Sequence, residues 1–175
     1  INLFSKVIVH TNKSKETFIN HFNFNPSNVE VIAHGCLPVK KSNEKIKANF
    51  LKKNKINAAK ETIVFFGNIN QYKGLGTLLN AFARLSNHQK NKARLLVLGK
   101  PREPMEHYFN ISKIHNLESH ITWDLRFIPE NMLDAIYSSA TIFVLPYRHI
   151  DQSGVLMSIL KYGKPIIASN ADGFS

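Results

Sequence analysis

Cysteine occurs once in 175 residues, at Cys36. That scarcity excludes an internal disulfide framework and a cysteine-rich zinc site, and it fits a reducing compartment. Long apolar runs are missing as well: the longest wholly apolar stretches, 63–66 and 142–145, fall far short of the roughly 18 residues that a membrane-spanning helix needs. No signal-peptide pattern opens the chain, which begins at Ile1 instead of a methionine, so an upstream segment is expected to belong to the natural protein. Acidic residues are few, 12 against 23 Lys and Arg.

What is present describes a globular chain. Apolar residues make up 43% and aromatics 10%, with 12 Phe, enough for one domain with a core and too little length for two complete ones. The expectation is one domain plus a remnant. The net charge of +11 is uneven: residues 40–60 hold eight lysines against Glu44, a local +7. Such a stretch reads as a solvated helix face, or as a patch for an anionic lipid surface or a phosphate-bearing substrate. No aromatic-rich RNA motif or helix-turn-helix accompanies it, so no nucleic-acid partner is expected.

Short β-branched apolar runs alternate with longer amphipathic ones, the grammar of an α/β fold. Strands are predicted at 7–9, 29–32, 63–66, 94–98, 121–123, 142–145 and 165–168. Most are too apolar for one face to meet water, which predicts a parallel sheet covered on both sides. Helices are predicted over 74–85 and 129–139, each with one apolar face, and less sharply over 14–22, 44–54, 103–115 and 155–162. A composition shift near residue 40 marks a linker at 35–42, punctuated by Gly35 and Pro38.

Two segments hold residues suited to chemistry. In "IVFFGNINQYKGLGTLLNAF" a buried strand ends at Gly67, a polar loop follows and Lys73-Gly74 opens a helix. That construction sets free amides and a cation at a strand's carboxyl end, where anions bind. It lacks both the dinucleotide fingerprint and the P-loop spacing. The bland alternative is glycines shaping a turn beside a solvated lysine. "FVLPYRHIDQSGVLMSILKYGKPIIAS" repeats the plan, with Gly154 and Val155 offering amides and Asp151 and Gln152 able to meet hydroxyls. Asp151 and Ser153 read equally well as helix N-caps. Trp123 and Tyr147 read as packing residues, and Cys36 as a small filler.

The ordered set "VIAHG", "FFGNINQYKGLGTLLNAFARL", "LLVLGK", "WDLRFIPENMLDAIYSSATIFVLPY" and "DQSGVLMSILKYGKPIIAS" resembles the nucleotide-sugar-binding half of a GT-B glycosyltransferase, family 4 (glycosyltransferases group 1). The resemblance covers residues 29–175. It implies two Rossmann-like domains facing a cleft, with residues 1–41 the tail of the acceptor domain and linker. Residues 42–175 would then be the donor domain, stopping before its last strand and closing helices.

The resemblance also implies roles. Lys73 matches the lysine that contacts the donor diphosphate, with Gly67 and Gly74 shaping its loop. Asn68 stands where an arginine is common. The loop 126–129, with Arg126 and Ile128, corresponds to the one that holds the base. Asp151 falls at the first of two glutamates, Gly154 and Val155 at the amides for the distal phosphate, and Ser158 where the second glutamate is absent. Lys73 and Asp151 are the catalytic candidates; Gln152 and Ser153 join the donor-binding set. No metal and no resident cofactor are implied, the nucleoside-diphosphate sugar being substrate.

The implied activity is transfer of a sugar, with retention, to a glycan or lipid-linked acceptor in polysaccharide biosynthesis. The implied location is cytoplasmic, with peripheral contact at the inner membrane face open to the lysine-rich stretch. This chain by itself is expected to bind a nucleoside diphosphate weakly and to transfer nothing. Two rival readings are a nucleotide-sugar epimerase or isomerase, which requires a titratable pair beside Lys73, and a non-catalytic module for an anionic surface.

Overall fold

The computed structural model describes residues 5–36, 38–57 and 59–171. The expected linker and the expected end of the larger unit include residues 37 and 172–175, which lie outside the described residues.

Near the beginning, strands β1 (Val7–Val9) and β2 (Val29–Val31) pair in parallel, with helix α1 (Asn12–Phe22) crossing between them. Thr11 caps α1 by accepting from the Ser14 amide, and Asn23 closes it in the left-handed conformation, a position Asn tolerates better than most residues.

Helix α2 (Glu44–Lys53) leads into a five-stranded parallel sheet of β3 (Glu61–Phe66), β4 (Ala93–Leu98), β5 (Ile121–Asp124), β6 (Ile142–Leu145) and β7 (Ile166–Ala168). The spatial order is β5-β4-β3-β6-β7. Between the strands run α3 (Leu75–Ala83) with α4 (Asn87–Lys92), α5 (Glu106–Ile114) and α6 (Leu133–Ser139), and α7 (Gly154–Ile159) precedes β7. Chain order reverses between β3 and β6, the switch point of a Rossmann-like sheet.

Alternation along each strand builds two cores. Val64, Leu96, Leu98, Phe143 and Leu145 enter one with Phe50, Ile136 and Tyr137; Phe65, Leu95, Val97 and Val144 enter the other with Leu75, Leu79 and Phe82. Helices therefore cover both faces, which is why the strands read as continuous apolar runs.

Three departures from the sequence reading have local causes. Helix α4 went unpredicted because NHQKNK has no apolar period; a capping box between Ser86 and Gln89 starts it instead. Residues 130–132 form a 3-10 turn before α6. The expected linker is fastened at its far end: Val39 is buried, Lys161 Nζ donates to its carbonyl at 2.8 Å, and the Ser42 hydroxyl accepts from the Ala135 amide at 3.1 Å. Ser42 thus caps α6 across 93 residues of sequence, in place of Met132, whose side chain makes no cap bond. Cys36 is exposed and fills no core.

Candidate functional site

At the carboxyl ends of the strands, the loops after β3, β4, β5 and β6 enclose a cleft of about 370 Å³. Its floor is backbone. The positive φ of Gly99, +142°, brings it so close to the β3 loop that a Cβ there would stand 1.9 Å from the Gly67 carbonyl oxygen. The loops are also laced together: the Ile69 amide donates to the Lys100 carbonyl at 2.9 Å, and the Arg148 amide to the Tyr72 carbonyl at 2.7 Å.

Lys73 ends a 3-10 turn, Gln71–Lys73, that Gly74 terminates in the left-handed conformation. A Cβ at Gly74 would strike the Pro146 carbonyl oxygen at 1.9 Å, so this glycine lets the β3 and β6 loops meet. The Lys73 side chain is only 6% exposed. Its ammonium lies against Gly67 and 5.0 Å from the centre of the Tyr147 ring. Among the described residues no carboxylate pairs with it, and burial lowers its pKa from 10.5 to about 8.

The same cleft is lined by Gly154 and Val155, the first two residues of α7. Their amides belong to the helix's first turn and have no acceptor within it, whereas Ser153 and its carbonyl satisfy those of Leu156 and Met157. Asn68, Ile128, Phe127 and Lys100 complete the walls. The cleft therefore sets one buried cation, one exposed cation and two free amides around a single space, an arrangement that attracts a doubly charged anion.

The other candidates fall elsewhere. Asp151 and Gln152 line a separate hollow with Tyr72 and His149. Ser153 is buried and caps α7, accepting from the Leu156 amide. Ser158 donates its hydroxyl to the Gly154 carbonyl at 2.6 Å, inside the helix. Arg126 turns away from the walls: its fork grips Asp124, Nε to Oδ1 at 2.7 Å and Nη2 to Oδ2 at 3.1 Å. Ile128 is 7% exposed and largely a core residue, while Phe127 stands 72% exposed on the rim.

Sequence reasoning missed Lys100, Phe127, Gly99 and the second role of Tyr147. The Gly99-Lys100 pair directly after the buried strand in "LLVLGK" was a usable signal for the first and third. No sequence pattern announces that the Tyr147 ring underlies Lys73.

The family described as Glycosyl transferases group 1 matches residues 60–175. The D-inositol 3-phosphate glycosyltransferase of Corynebacterium diphtheriae is 24% identical over 95% of this chain and 40% of that protein. A GDP-mannose:glycolipid 4-beta-D-mannosyltransferase of Xanthomonas campestris is 26% identical over 61% of this chain and 29% of its own length. Among solved structures, WaaG, a glycosyltransferase involved in lipopolysaccharide biosynthesis, superposes with a TM-score of 0.84 at 17% identity, covering 97% of this chain and 45% of WaaG. Anabaena HepE in complex with UDP-glucose gives 0.81 at 16% identity, over 99% of this chain and 47% of HepE. The chain thus spans less than half the length of these relatives, and its fold is the Rossmann-like fold of GT-B glycosyltransferases.

Proposed function

Because the chain belongs to the group 1 glycosyl transferases, we propose that it is the donor-binding part of an enzyme that moves a sugar, with retention, from a nucleoside-diphosphate sugar to a hydroxyl of a glycan or lipid-linked acceptor. The observation behind this reading is that the buried Lys73, with no carboxylate partner among the described residues, lines one cleft with the first two residues of α7.

A diphosphate in that cleft would meet Lys73 on one side and the amides of Gly154 and Val155 on the other. As the bond to the sugar lengthens, negative charge grows on the leaving diphosphate, so a fixed cation in a dry site favours the transition state over the ground state. Burial keeps that cation strong, because little water screens it. We read the exposed Phe127 ring as the surface for the base, in the loop to which the resemblance gives that role. Residues 1–41 and 42–175 are read as the end of an acceptor domain with its linker and as the donor domain, so the acceptor would be held by parts of the protein beyond this chain. The lysine-rich α2 region leaves room for contact with an anionic membrane surface; among the described residues no helix is long and apolar enough to cross a membrane.

The epimerase reading needs an acid and a base next to Lys73, and the titratable pair of the β6 loop, His149 and Asp151, lines the other hollow. Calorimetry with UDP and GDP tests the donor reading: binding should fall about 10- to 150-fold in Lys73→Ala, as removal of a charge-assisted contact worth about 1.5–3 kcal/mol requires. Equal affinity in both proteins would refute it. Thermal shifts with UDP-, GDP-, ADP- and dTDP-sugars then identify the base and sugar.

A further inference from the structure

On the α3–α5 side of the sheet, the loops that frame the cleft also frame a second hollow of about 240 Å³. Gln71 comes from the β3 loop and Arg148 from the β6 loop; Glu103, His107 and Tyr108 come from the segment after β4, and Gly76 lies at the start of α3. Tyr108 is 6% exposed and donates its hydroxyl to Glu103 Oε1 at 2.7 Å. Burial and the neighbouring carboxylate push that phenol up to about 12, so it remains a donor. Glu103 is held while its second oxygen stays open to an incoming hydroxyl. Arg148 lines the same hollow, and among the described residues no ion pair joins it to Glu103.

The chemistry differs from that of the donor cleft. A carboxylate and a guanidinium in one small space leave no excess charge to draw in a diphosphate. They array strong acceptors and a forked donor around a centre, with the Gln71 amide supplying one of each. A hydroxyl both donates and accepts, so a ring bearing adjacent hydroxyls satisfies all of these groups together, and the Tyr108 ring and Pro104 give its C–H face an apolar wall. The volume is below the roughly 300–1,000 Å³ of pockets for drug-sized ligands, which suits a single ring. We propose that this hollow is a second carbohydrate subsite that binds one neutral sugar ring beside the donor cleft. It stands apart from the donor reading, since it requires neither Lys73 nor a nucleotide.

Gly76 supplies the variant. A Cβ there would lie 3.7 Å from Tyr108 Cε1 and 3.9 Å from His107 Nε2, ordinary contact distances, so Gly76→Ala fills the floor without displacing anything and also favours the helix. Saturation-transfer NMR on the whole chain should detect glucose, mannose or galactose and their methyl glycosides, with glycine and glutamine as zwitterionic controls. We expect a sugar signal on the wild type, undisturbed by UDP and weakened about tenfold by Gly76→Ala, the factor of a lost contact of ordinary size. The melting temperature should not fall, and UDP binding should be unchanged. Glu103→Gln, equal in size, should weaken the sugar equally. A methyl glycoside that binds as well as its free sugar marks a chain-linked unit, and the free sugar alone marks a soluble monosaccharide. No sugar signal, a signal that survives Gly76→Ala, amino-acid binding alone, or displacement by UDP would each overturn the proposal. Loss of UDP binding in the wild type would instead count against the donor reading.

Discussion

The Lys73 ammonium rests 5.0 Å from the centre of the Tyr147 ring, so the cation of the β3 loop stands on an aromatic platform supplied by the β6 loop. The ring partly compensates for lost hydration, yet burial still holds Lys73 near a pKa of about 8.

That value makes binding depend on pH. Diphosphate affinity should fall as pH rises through 8, where Lys73 loses its proton. Stability runs the other way. The unfolded chain keeps this lysine protonated up to its ordinary 10.5, so between pH 8 and 10.5 the unfolded state binds more protons and the Lys73 contribution to stability rises with pH. Calorimetry at pH 6.5 and 9, beside urea unfolding of wild type and Lys73→Met, checks both signs: the gap in stability between the two proteins should narrow at high pH.

Gly67→Ala should disable the site. The added Cβ would stand 2.6 Å from Lys73 Nζ on a backbone with φ of +113°, so the ammonium must move. We expect at least about tenfold weaker UDP binding and about 1–3 kcal/mol lower stability, read from titration calorimetry and urea melts.

Asp124 is 7% exposed and fixes Arg126 through two hydrogen bonds at the foot of the loop that carries Phe127. Asp124→Asn should loosen that loop and weaken UDP or GDP several-fold, while inorganic pyrophosphate, which reaches only the cation and amides, should bind as before. A parallel loss for both ligands would mean that Asp124 acts on the fold as a whole.

Asp151→Asn should leave UDP binding unchanged, since Asp151 lines a different hollow from Lys73. A clear loss would show that the two hollows join when the donor is bound.

Ser42→Ala removes a cap from α6 together with the bond from the Ser42 hydroxyl to the Asn131 carbonyl at 2.6 Å. A stability loss of about 1–2 kcal/mol is expected, with no change in UDP affinity.

The strands were legible because burial on both faces leaves an unbroken apolar run, and β6 was placed at its observed bounds, Ile142–Leu145. Helix α4 was not, since its start depends on a Ser86–Gln89 cap and not on an apolar face. At the cleft, residues fixed by backbone shape were readable: Gly67 and Gly74 adopt positive φ where the chain must turn. Side-chain direction was not readable. Neighbours in sequence part company there, with Ser153 turned inward as a cap and Gly154 on the wall. Arg126 looked like a ligand group until the fold brought its guanidinium onto Asp124, two residues away.

Fastening the chain at Val39 and Ser42 has a mechanical consequence. On one side Ile32 is tied to β1 by its amide bond to the Val9 carbonyl, and on the other Val39 and Ser42 are pinned to α6 and the turn beyond α7. A force carried along the chain from β1–β2 therefore meets the large sheet first at the Val39 and Ser42 anchors, on α6 and the turn Leu160–Tyr162, and not at the loops that line the cleft.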